Sequence, residues 1–378
     1  MLNWLYRILA SLSLVVLLLA GMIYYFFGGG KPYPDLTSAP VLPPEALEIA
    51  VKSEQPIGNA AVSADGRIFY TVHPESHPVG PKLYEWTDGK PVPYPDLNSQ
   101  DKLFISPLGV AVDGLHRLWI IDPANHGTDK AKLTAIDLET NQVVHSHEFS
   151  SKIAPIGSFL QDLQISPDGR WIYVADVGFW AKRPAFVIYD TETGKAHRAL
   201  NRHSSVYPQN LLIRNQIKDM SYFGGLLEMK TGLDGIALSR DGDWIYYGAM
   251  NHDTLYRIPS KTLQDSTLKD VDVAADIEAV GKKPLNDGFS IDDENNVFIT
   301  DIEHQAVVQM TPDGSLETII KDERIRWADS LSFGPDGWLY LADSAIPHLA
   351  LQSAEHIQKQ APYYIWRFKP GTSAAAGQ

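Results

Sequence analysis

The sequence predicts an all-β fold, a six-bladed β-propeller with an N-terminal transmembrane helix. Three observations support this: an uncharged apolar stretch at the N-terminus, six related hairpin sequences, and a further strand after each hairpin. With 378 residues, the chain is long enough for one large repeat domain. The predicted boundaries are an anchor in residues 1–30, a linker in 31–45, the propeller in 46–370 and a disordered tail in 371–378.

The apolar stretch Ile8–Phe27 contains no charge and has about the length that a helix needs to cross a bilayer. Aromatic side chains flank it, as interface anchors do: Trp4, Tyr6, Tyr24 and Tyr25. A cleaved signal has a shorter apolar region and a small-residue cleavage site, so an uncleaved anchor is favoured. Arg7 favours a cytoplasmic N-terminus, which places the rest of the chain outside the cytoplasm, on the periplasmic side of the inner membrane in a bacterium.

Each hairpin consists of an alternating strand, a tight Asp/Gly turn and a second strand rich in aromatics. The six hairpins occupy residues 58–73, 108–122, 161–176, 234–251, 285–304 and 329–343. Third strands follow at 82–86, 132–137, 186–190, 254–258, 306–310 and 363–368, and most units add a fourth. The last unit lacks a fourth strand, which residues 46–51 are expected to supply, closing the ring and removing its edges.

We expect the aromatic residues of the second strands to pack between blades: Phe69, Trp119, Trp171, Trp244, Phe298 and Trp338.

With strands named A to D from the axis outward, the A–B and C–D turns share one face, called here the turn face. The long B–C and D–A connections share the other, the mouth face. Long loops on a rigid scaffold commonly carry function, so the mouth face is expected to hold the site.

Polar residues open the innermost strands on the mouth face. Asp234, Asp287 and Asp329 take aligned positions there, and clustered carboxylates cannot all stay ionised without a cation or protonation. Oxygen ligands suit Ca²⁺ or another hard divalent cation. The predicted metal ligands are Asp234, Asp287, Asn286, Asp162, Asp329 and Asn59.

A second ring follows the ends of the B strands, with several histidines just beyond it. Asp at a strand end also caps turns, and this alternative stays open for each of them. The predicted ligand-contacting residues are Asp122, Asp176, Trp180, Asn251, His252, Asp301 and Asp343. His126 and His304 are the candidate general bases.

The composition excludes several classes of protein. A formal charge of −14 repels phosphate backbones, so no nucleic-acid partner is expected. The expected partners are a small-molecule ligand and the membrane, which residues 8–27 would contact. The absence of cysteine excludes a disulfide scaffold, a thiolate metal site and a Cys nucleophile.

Three stretches together, "HRLWIIDPANHG", "GLDGIALSRDGDWIYYGAMNHDTLYRIPS" and "LNDGFSIDDENNVFITDIEHQAVVQMTPDG", resemble the Yellow / major royal jelly family in its bacterial form. The units are more distantly similar to the regucalcin, gluconolactonase and paraoxonase propellers. The first resemblance implies dopachrome-type conversion or binding of biogenic amines. The second implies lactone hydrolysis on an axial divalent cation, with roles for Asp234, Asn286 and Asp287, although Gly58 and Asn59 stand where those propellers carry an axial Glu.

Three functions follow as alternatives. In the favoured one, a divalent cation polarises a carbonyl while His126 or His304 acts as general base, which gives lactone hydrolysis or dopachrome-type tautomerisation. In the second, the protein is a non-enzymatic binder, the acidic ring attracting a protonated amine while Trp180 offers a π face. In the third, the propeller is a scaffold for protein partners.

Overall fold

The computed structural model describes residues 2–377 and contains a propeller of six four-stranded antiparallel sheets. A helix, Leu2–Phe27, precedes the propeller. Its segment Tyr6–Phe27 is long and apolar enough to cross a bilayer and is not buried against the rest of the chain. The predicted fold class is therefore confirmed.

The blades follow one another along the chain, and the first strand of each lies at the axis. Strands A to D of blade 1 are Ile57–Val62, Ile68–Val72, Leu83–Thr87 and Lys90–Pro93. Those of blade 2 are Val110–Val112, Arg117–Asp122, Lys132–Asp137 and Gln142–Glu148, and those of blade 3 are Leu160–Ile165, Trp171–Asp176, Ala185–Asp190 and Lys195–Ala199. Those of blade 4 are Leu233–Leu238, Trp244–Ala249, Thr254–Pro259 and Glu278–Lys282, and those of blade 5 are Phe289–Ile291, Val297–Asp301, Ala306–Met310 and Leu316–Lys321. Blade 6 has Ala328–Phe333, Leu339–Asp343 and Tyr363–Phe368.

The ring closes through the N-terminal strand Glu48–Ser53, which pairs with Tyr363–Phe368 as the fourth strand of blade 6. This confirms the predicted closure, with the strand beginning two residues later than 46 because Ala46 belongs to the short 3₁₀ turn Pro44–Ala46. Val51 is fully buried opposite Ile365, whereas Ile49 points to solvent. The two ends of the propeller are thus joined by backbone pairing.

Four tight turns of the turn face share one mechanism. In the A–B turns of blades 1, 3 and 4 and in the C–D turn of blade 5, a Ser or Thr hydroxyl donates to the carboxylate of an Asp two residues later: Ser63–Asp65, Ser166–Asp168, Ser239–Asp241 and Thr311–Asp313. In the last three of these turns, the same Asp accepts a backbone N–H two residues further on. Such side-chain-to-backbone bonds favour turns over continued strands, which explains the recurring Ser/Thr-x-Asp-Gly sequence.

Blade 4 departs from the predicted tight C–D turn, because two short helices, Ser260–Gln264 and Asp270–Ala274, fill this connection. On the mouth face, a two-stranded ribbon pairs Ser221–Tyr222 with Leu227–Glu228. The remaining short helical segments are Pro74–Ser76, Gln100–Leu103, Ala124–Gly127, Phe223–Gly225, Pro335–Gly337, Ile346–His348 and Ala354–Lys359.

The predicted packing of aromatics between blades is confirmed, because all six rings contact apolar clusters that join neighbouring blades. Phe69, Trp119 and Phe298 are fully buried. Trp171 and Trp244 begin their B strands, Trp338 immediately precedes its own, and all three are half-buried. Arginine side chains cover the other side of these three rings, from Arg170, Arg257 and Arg367, with the guanidinium carbons 4.2–5.0 Å from the ring centroids.

The predicted linker and tail both lie against the propeller. The amide of Lys31 donates to the carbonyl of Asn210, and those of Val41 and Leu42 donate to the outer strand of blade 5. On the turn face, the amide of Gly377 donates to the carbonyl of Phe333 at 2.7 Å. Residues 28–45 are therefore a bound strap rather than a free tether, and the C-terminal residues cross the end of the axial channel.

Candidate functional site

A cavity of about 210 Å³ opens on the mouth face, above the axis of the propeller. Polar side chains form its floor and one side: His73, Glu75, His126, Gln161 and Asp287. The remaining wall is mostly apolar and aromatic, and includes Phe159, Phe179, Trp180, Tyr222, Met229 and Met250. The shape and lining suit a small apolar or aromatic compound with a polar group directed at the axis.

Asp287 lies on the cavity floor. Gln161 Nε2 donates to its Oδ1 at 2.8 Å, and the indole N–H of Trp327 donates to its Oδ2 at 2.7 Å. Burial raises the pKa of Asp287 to about 7, although these two hydrogen bonds lower it. The group can therefore exchange a proton near neutral pH.

The other predicted axial carboxyls lie beneath Asp287, as the sequence indicates. Burial and the charge of Asp287 raise the pKa of Asp162 to about 8. They also raise the pKa values of Asp234 and Asp329 well above the usual range, with Asp162 adding to both. Asp162 accepts a hydrogen bond from Asn59 Nδ2 at 3.0 Å. The raised pKa values mean that these carboxyl groups hold protons more tightly than exposed ones do.

Lys283 places an ammonium group within this cluster. It is fully buried, and its Nζ donates to Asn286 Oδ1 and to the carbonyl oxygens of Ala249 and His252. Gly248 allows this approach, because a Cβ there would lie 2.5 Å from Lys283 Cε. Burial lowers the pKa of Lys283 to about 7, against the attraction of neighbouring carboxylates, including Asp234.

That the six predicted ligands hold a divalent cation stays a prediction, and among the described residues their carboxylates form no group of three within 4.8 Å. Four of them already hold side-chain hydrogen-bond partners: Asn59, Asp162, Asn286 and Asp287. Asp234 is different, because both of its oxygens are buried without a partner. Among the described residues, the one group of three ligands within 4.8 Å that could hold a metal is Asp35, Asp301 and His304.

His126 lies in the cavity wall, as expected for a general base. Its Nε2 is 2.9 Å from Glu75 Oε1, and its ring stacks on Phe159 with centroids 4.4 Å apart. Burial raises the pKa of Glu75, but the hydrogen bond and charge of His126 outweigh this and lower it, so Glu75 is an ionised acceptor. His126 Nδ1 is buried without a partner among the residues described.

An unusual backbone presents His126. Ala124, Asn125, His126 and Gly127 all have φ between 50° and 70°, although only the last is glycine. Successive left-handed residues are costly for side chains with a Cβ, and such strain concentrates at functional sites. The turn is held by the Gly127 amide, which donates to Pro123 O at 3.0 Å.

His304, the second candidate base, lies away from the cavity. Its Nδ1 is 3.0 Å from Asp301 and 3.7 Å from Asp35 of the strap. Burial lowers the pKa of His304, but the bond and charge of Asp301 outweigh it, giving a net rise. His304 thus joins the strap to blade 5 and does not line the cavity.

Most of the second ring takes up the capping role that the sequence left open. Asp122 accepts from the amides of Ile105, Ser106 and Ala124, and Asp176 from those of Phe159 and Gly178. Asn251, Asp301 and Asp343 make equivalent bonds to Thr231, Glu303 and Trp327. His252 accepts from the Thr254 amide, and Trp180 alone of the predicted ligand contacts lines the cavity.

Several cavity residues were not among the predicted site residues. Glu75 lies in "HPESH", two residues after His73 at the B-strand end, a position that holds Asp253 and Glu303 in units 4 and 5. Tyr222 comes from the ribbon and leaves its hydroxyl buried without a partner in the described structure. Burial raises its pKa to about 12, so the hydroxyl is neutral. Three of the cavity residues did carry a sequence signal: Gln161 at the aligned axial position of blade 3, His73 at the end of the first B strand, and Phe179 beside Trp180 on the mouth face.

The sequence profile of the major royal jelly protein family matches residues 105–329, which is more than half of the chain. The chain belongs to this family. No curated protein sequence matches this major royal jelly protein.

Three solved structures resemble this major royal jelly protein in fold. A luciferin-regenerating enzyme has 10% identity and a TM-score of 0.58, over 88% of this chain and 97% of the other. A gluconolactonase from Xanthomonas campestris has 15% identity and a TM-score of 0.52, over 85% and 88%. A calcium-binding regucalcin from Agrobacterium tumefaciens has 16% identity and a TM-score of 0.52, over 87% and 95%. Identities this low bear on the fold alone.

Proposed function

We propose that this protein is an enzyme that isomerises a small cyclic carbonyl compound in the axial cavity by proton transfer. The observation that carries the proposal is the pairing of His126 with Glu75 in the wall of an apolar cavity whose floor is Asp287. Two proton-transfer groups in one aromatic-lined cavity are what a dopachrome-type tautomerase needs.

Each group has a defined role. Glu75 accepts the Nε2–H of His126, which leaves Nδ1 as the lone-pair nitrogen. Because Nδ1 is buried in this structure, the imidazole must turn toward the bound substrate before Nδ1 takes a proton from its acidic carbon. Asp287, with a pKa of about 7, gives a proton to the carbonyl oxygen and recovers one as the carbonyl re-forms. His126 returns its proton to a different carbon, so the product is an isomer and no atoms are gained or lost.

Activity assays of the full-length protein test this, with a panel of cyclic enones, quinone-like indoles and lactones. His126→Gln should lower kcat by about 100-fold or more, the usual contribution of a general base. Glu75→Gln should lower it by less and shift the pH profile, since Glu75 acts through His126. The matched control is His304→Gln, which removes a histidine outside the cavity and should leave the rate unchanged.

The binding alternative gives a different result in the same assay. If compounds of the panel raise the melting temperature while none is converted, the cavity is a binding site and the proposed isomerisation is wrong. An equal loss of kcat in His126→Gln and His304→Gln would also contradict the proposed isomerisation, because His304 lies outside the cavity.

Lactone hydrolysis assisted by a divalent cation is a second candidate. The open oxygens of Asp234 favour it, since a buried carboxylate without partners is costly and a cation would satisfy it. The gluconolactonase and the calcium-binding regucalcin of similar fold also agree with it. Calcium or magnesium should then raise the melting temperature of the wild type but not of Asp234→Asn; no shift in the wild type would exclude this candidate.

A further inference from the structure

We propose that the mouth face of the propeller rests on the bilayer that holds the N-terminal helix, so that the axial cavity opens at the lipid surface. The first observation is where the helix ends. The Phe27 ring lies 5.6 Å from that of Phe179 and 6.0 Å from that of Trp180, centroid to centroid. Both partners line the cavity, so the apolar helix ends at its rim.

The junction between helix and propeller is fixed rather than loose. The Lys230 ammonium donates to the carbonyl of Gly28 and pairs with Glu228 at 3.0 Å. Glu228 in turn accepts the amide of Gly30 at 2.7 Å. A cation at the C-terminal end of a helix satisfies its open carbonyls and its dipole. The three glycines after the helix therefore do not act as a flexible spacer.

The position of the aromatic residues sets the depth. Tyr24, Tyr25, Phe26 and Phe27 close the apolar segment, and aromatic residues at the ends of membrane helices lie at the level of the headgroups. Because Phe27 contacts Trp180 on the cavity rim, the rim shares that level.

The rim itself is apolar and exposed. Trp180, Phe223 and Leu351 line the cavity opening with 49%, 75% and 66% of their surfaces exposed. Large apolar side chains grouped around one opening mark an interaction surface. If this face meets lipid, the apolar surface of each side chain leaves water, which is favourable.

The charges around the rim fit phospholipid headgroups. The two loops that carry Trp180 and Phe223, residues 177–184 and 201–232, hold six Lys or Arg residues against two Asp or Glu. Lys230 is buried and paired with Glu228, which leaves five basic residues against Asp219: Lys182, Arg183, Arg202, Arg214 and Lys218. A basic surface on a chain with a net charge of −14 is attracted to anionic lipid, whereas the rest of the propeller is repelled.

The ligand's route follows from this orientation and rests on the proposed function. A cavity with apolar walls that opens at the lipid surface would receive a neutral, lipophilic compound from the bilayer. The docking itself does not depend on any activity.

Single-cysteine labelling of the full chain in vesicles tests the docking. The chain has no cysteine, so each variant carries one label. Phe223→Cys and Leu351→Cys report on the mouth face. Leu115→Cys and Val271→Cys are matched controls, since both residues are exposed and apolar but lie in connections of the turn face. Leu17→Cys reports on the middle of the N-terminal helix, which is expected to lie among the lipid chains. Each is labelled with a fluorophore and reconstituted in phosphatidylcholine–phosphatidylglycerol vesicles with nitroxide-labelled lipids.

Headgroup nitroxides should remove most of the emission from the Phe223→Cys and Leu351→Cys labels and leave that of the two turn-face labels unchanged. Chain nitroxides should quench the Leu17→Cys label. Equal quenching on both faces, no quenching on the mouth face, or an unquenched Leu17→Cys label each overturns the proposal. Inactivity of the enzyme in every assay would contradict the proposed function and leave this result intact.

Discussion

At the scale of single residues, the axis brings four carboxyl groups and one amine together in the interior of the propeller. Asp162, Asp234, Asp287 and Asp329 each have a raised pKa, for which burial is the largest cause. Lys283 has a lowered pKa for the same reason. Such a cluster is costly to fold, and groups whose pKa values are shifted toward neutral pH commonly serve catalysis. The cost itself can be measured.

The free energy of unfolding should depend on pH through Asp287. Its pKa is 3.8 when exposed and about 7 when folded, so between these values the folded state holds a proton that the unfolded state has released. Stability from this group is therefore full below about pH 4 and falls as the pH rises to 7, by up to ~4 kcal/mol at ~1.4 kcal/mol per pKa unit. Asp287→Asn should remove this loss, as measured by melts of both proteins between pH 4 and 9.

Asp313→Asn is the control for that series. Asp313 lies in an exposed turn on the other face, where the Thr311 hydroxyl and the Ser315 amide lower its pKa, the hydroxyl most. Its substitution should leave the decline in the free energy of unfolding between pH 4 and 7 unchanged. If the difference between wild type and Asp287→Asn is the same at every pH, Asp287 does not titrate in this window.

At the scale of elements, the repeating parts could be predicted from the sequence and the irregular parts could not. Each hairpin carries its own turn chemistry, such as Ser166 with Asp168, so strand bounds and blade order follow from local signals. The axial position of Asp287 follows from the repeat as well. Glu75 and Tyr222 could not be found in this way, because they lie in loops whose sequences differ from one blade to the next. The helices in the C–D connection of blade 4 were missed for the same reason.

The closing strand offers a matched test within one element. Val51 is fully buried opposite Ile365, whereas Ile49, two residues away, is 54% exposed. Val51→Ala should lower the free energy of unfolding by about 2 kcal/mol through lost burial and a residual cavity. Ile49→Ala should change it by no more than about 0.5 kcal/mol, as surface substitutions do. Denaturant titration of both variants measures the difference, and equal effects would mean that the strand does not close the ring in solution.

At the scale of the whole molecule, the helix, the strap and the cavity form one connected assembly. The strap leaves the helix at Gly28, passes Asp35 beside His304, pairs along the outer strand of blade 5 and becomes the closing strand. The same segment therefore joins the apolar helix to the cavity rim and completes the propeller. Displacement of the helix would therefore strain the strand that closes the ring.

The orientation across the membrane is the last prediction, and it rests on charge. Arg7 precedes the uncharged stretch Ile8–Phe27, and positive charge is retained on the cytoplasmic side. The propeller should therefore lie outside the cytoplasm. Alkaline phosphatase fused after the last residue should be active, and green fluorescent protein at the same point should stay dark. Deletion of residues 2–27 should reverse both signals, because the chain then lacks the segment that directs it into the membrane. A bright fluorescent fusion of the full chain would place the propeller, and the lipid surface it faces, inside the cell.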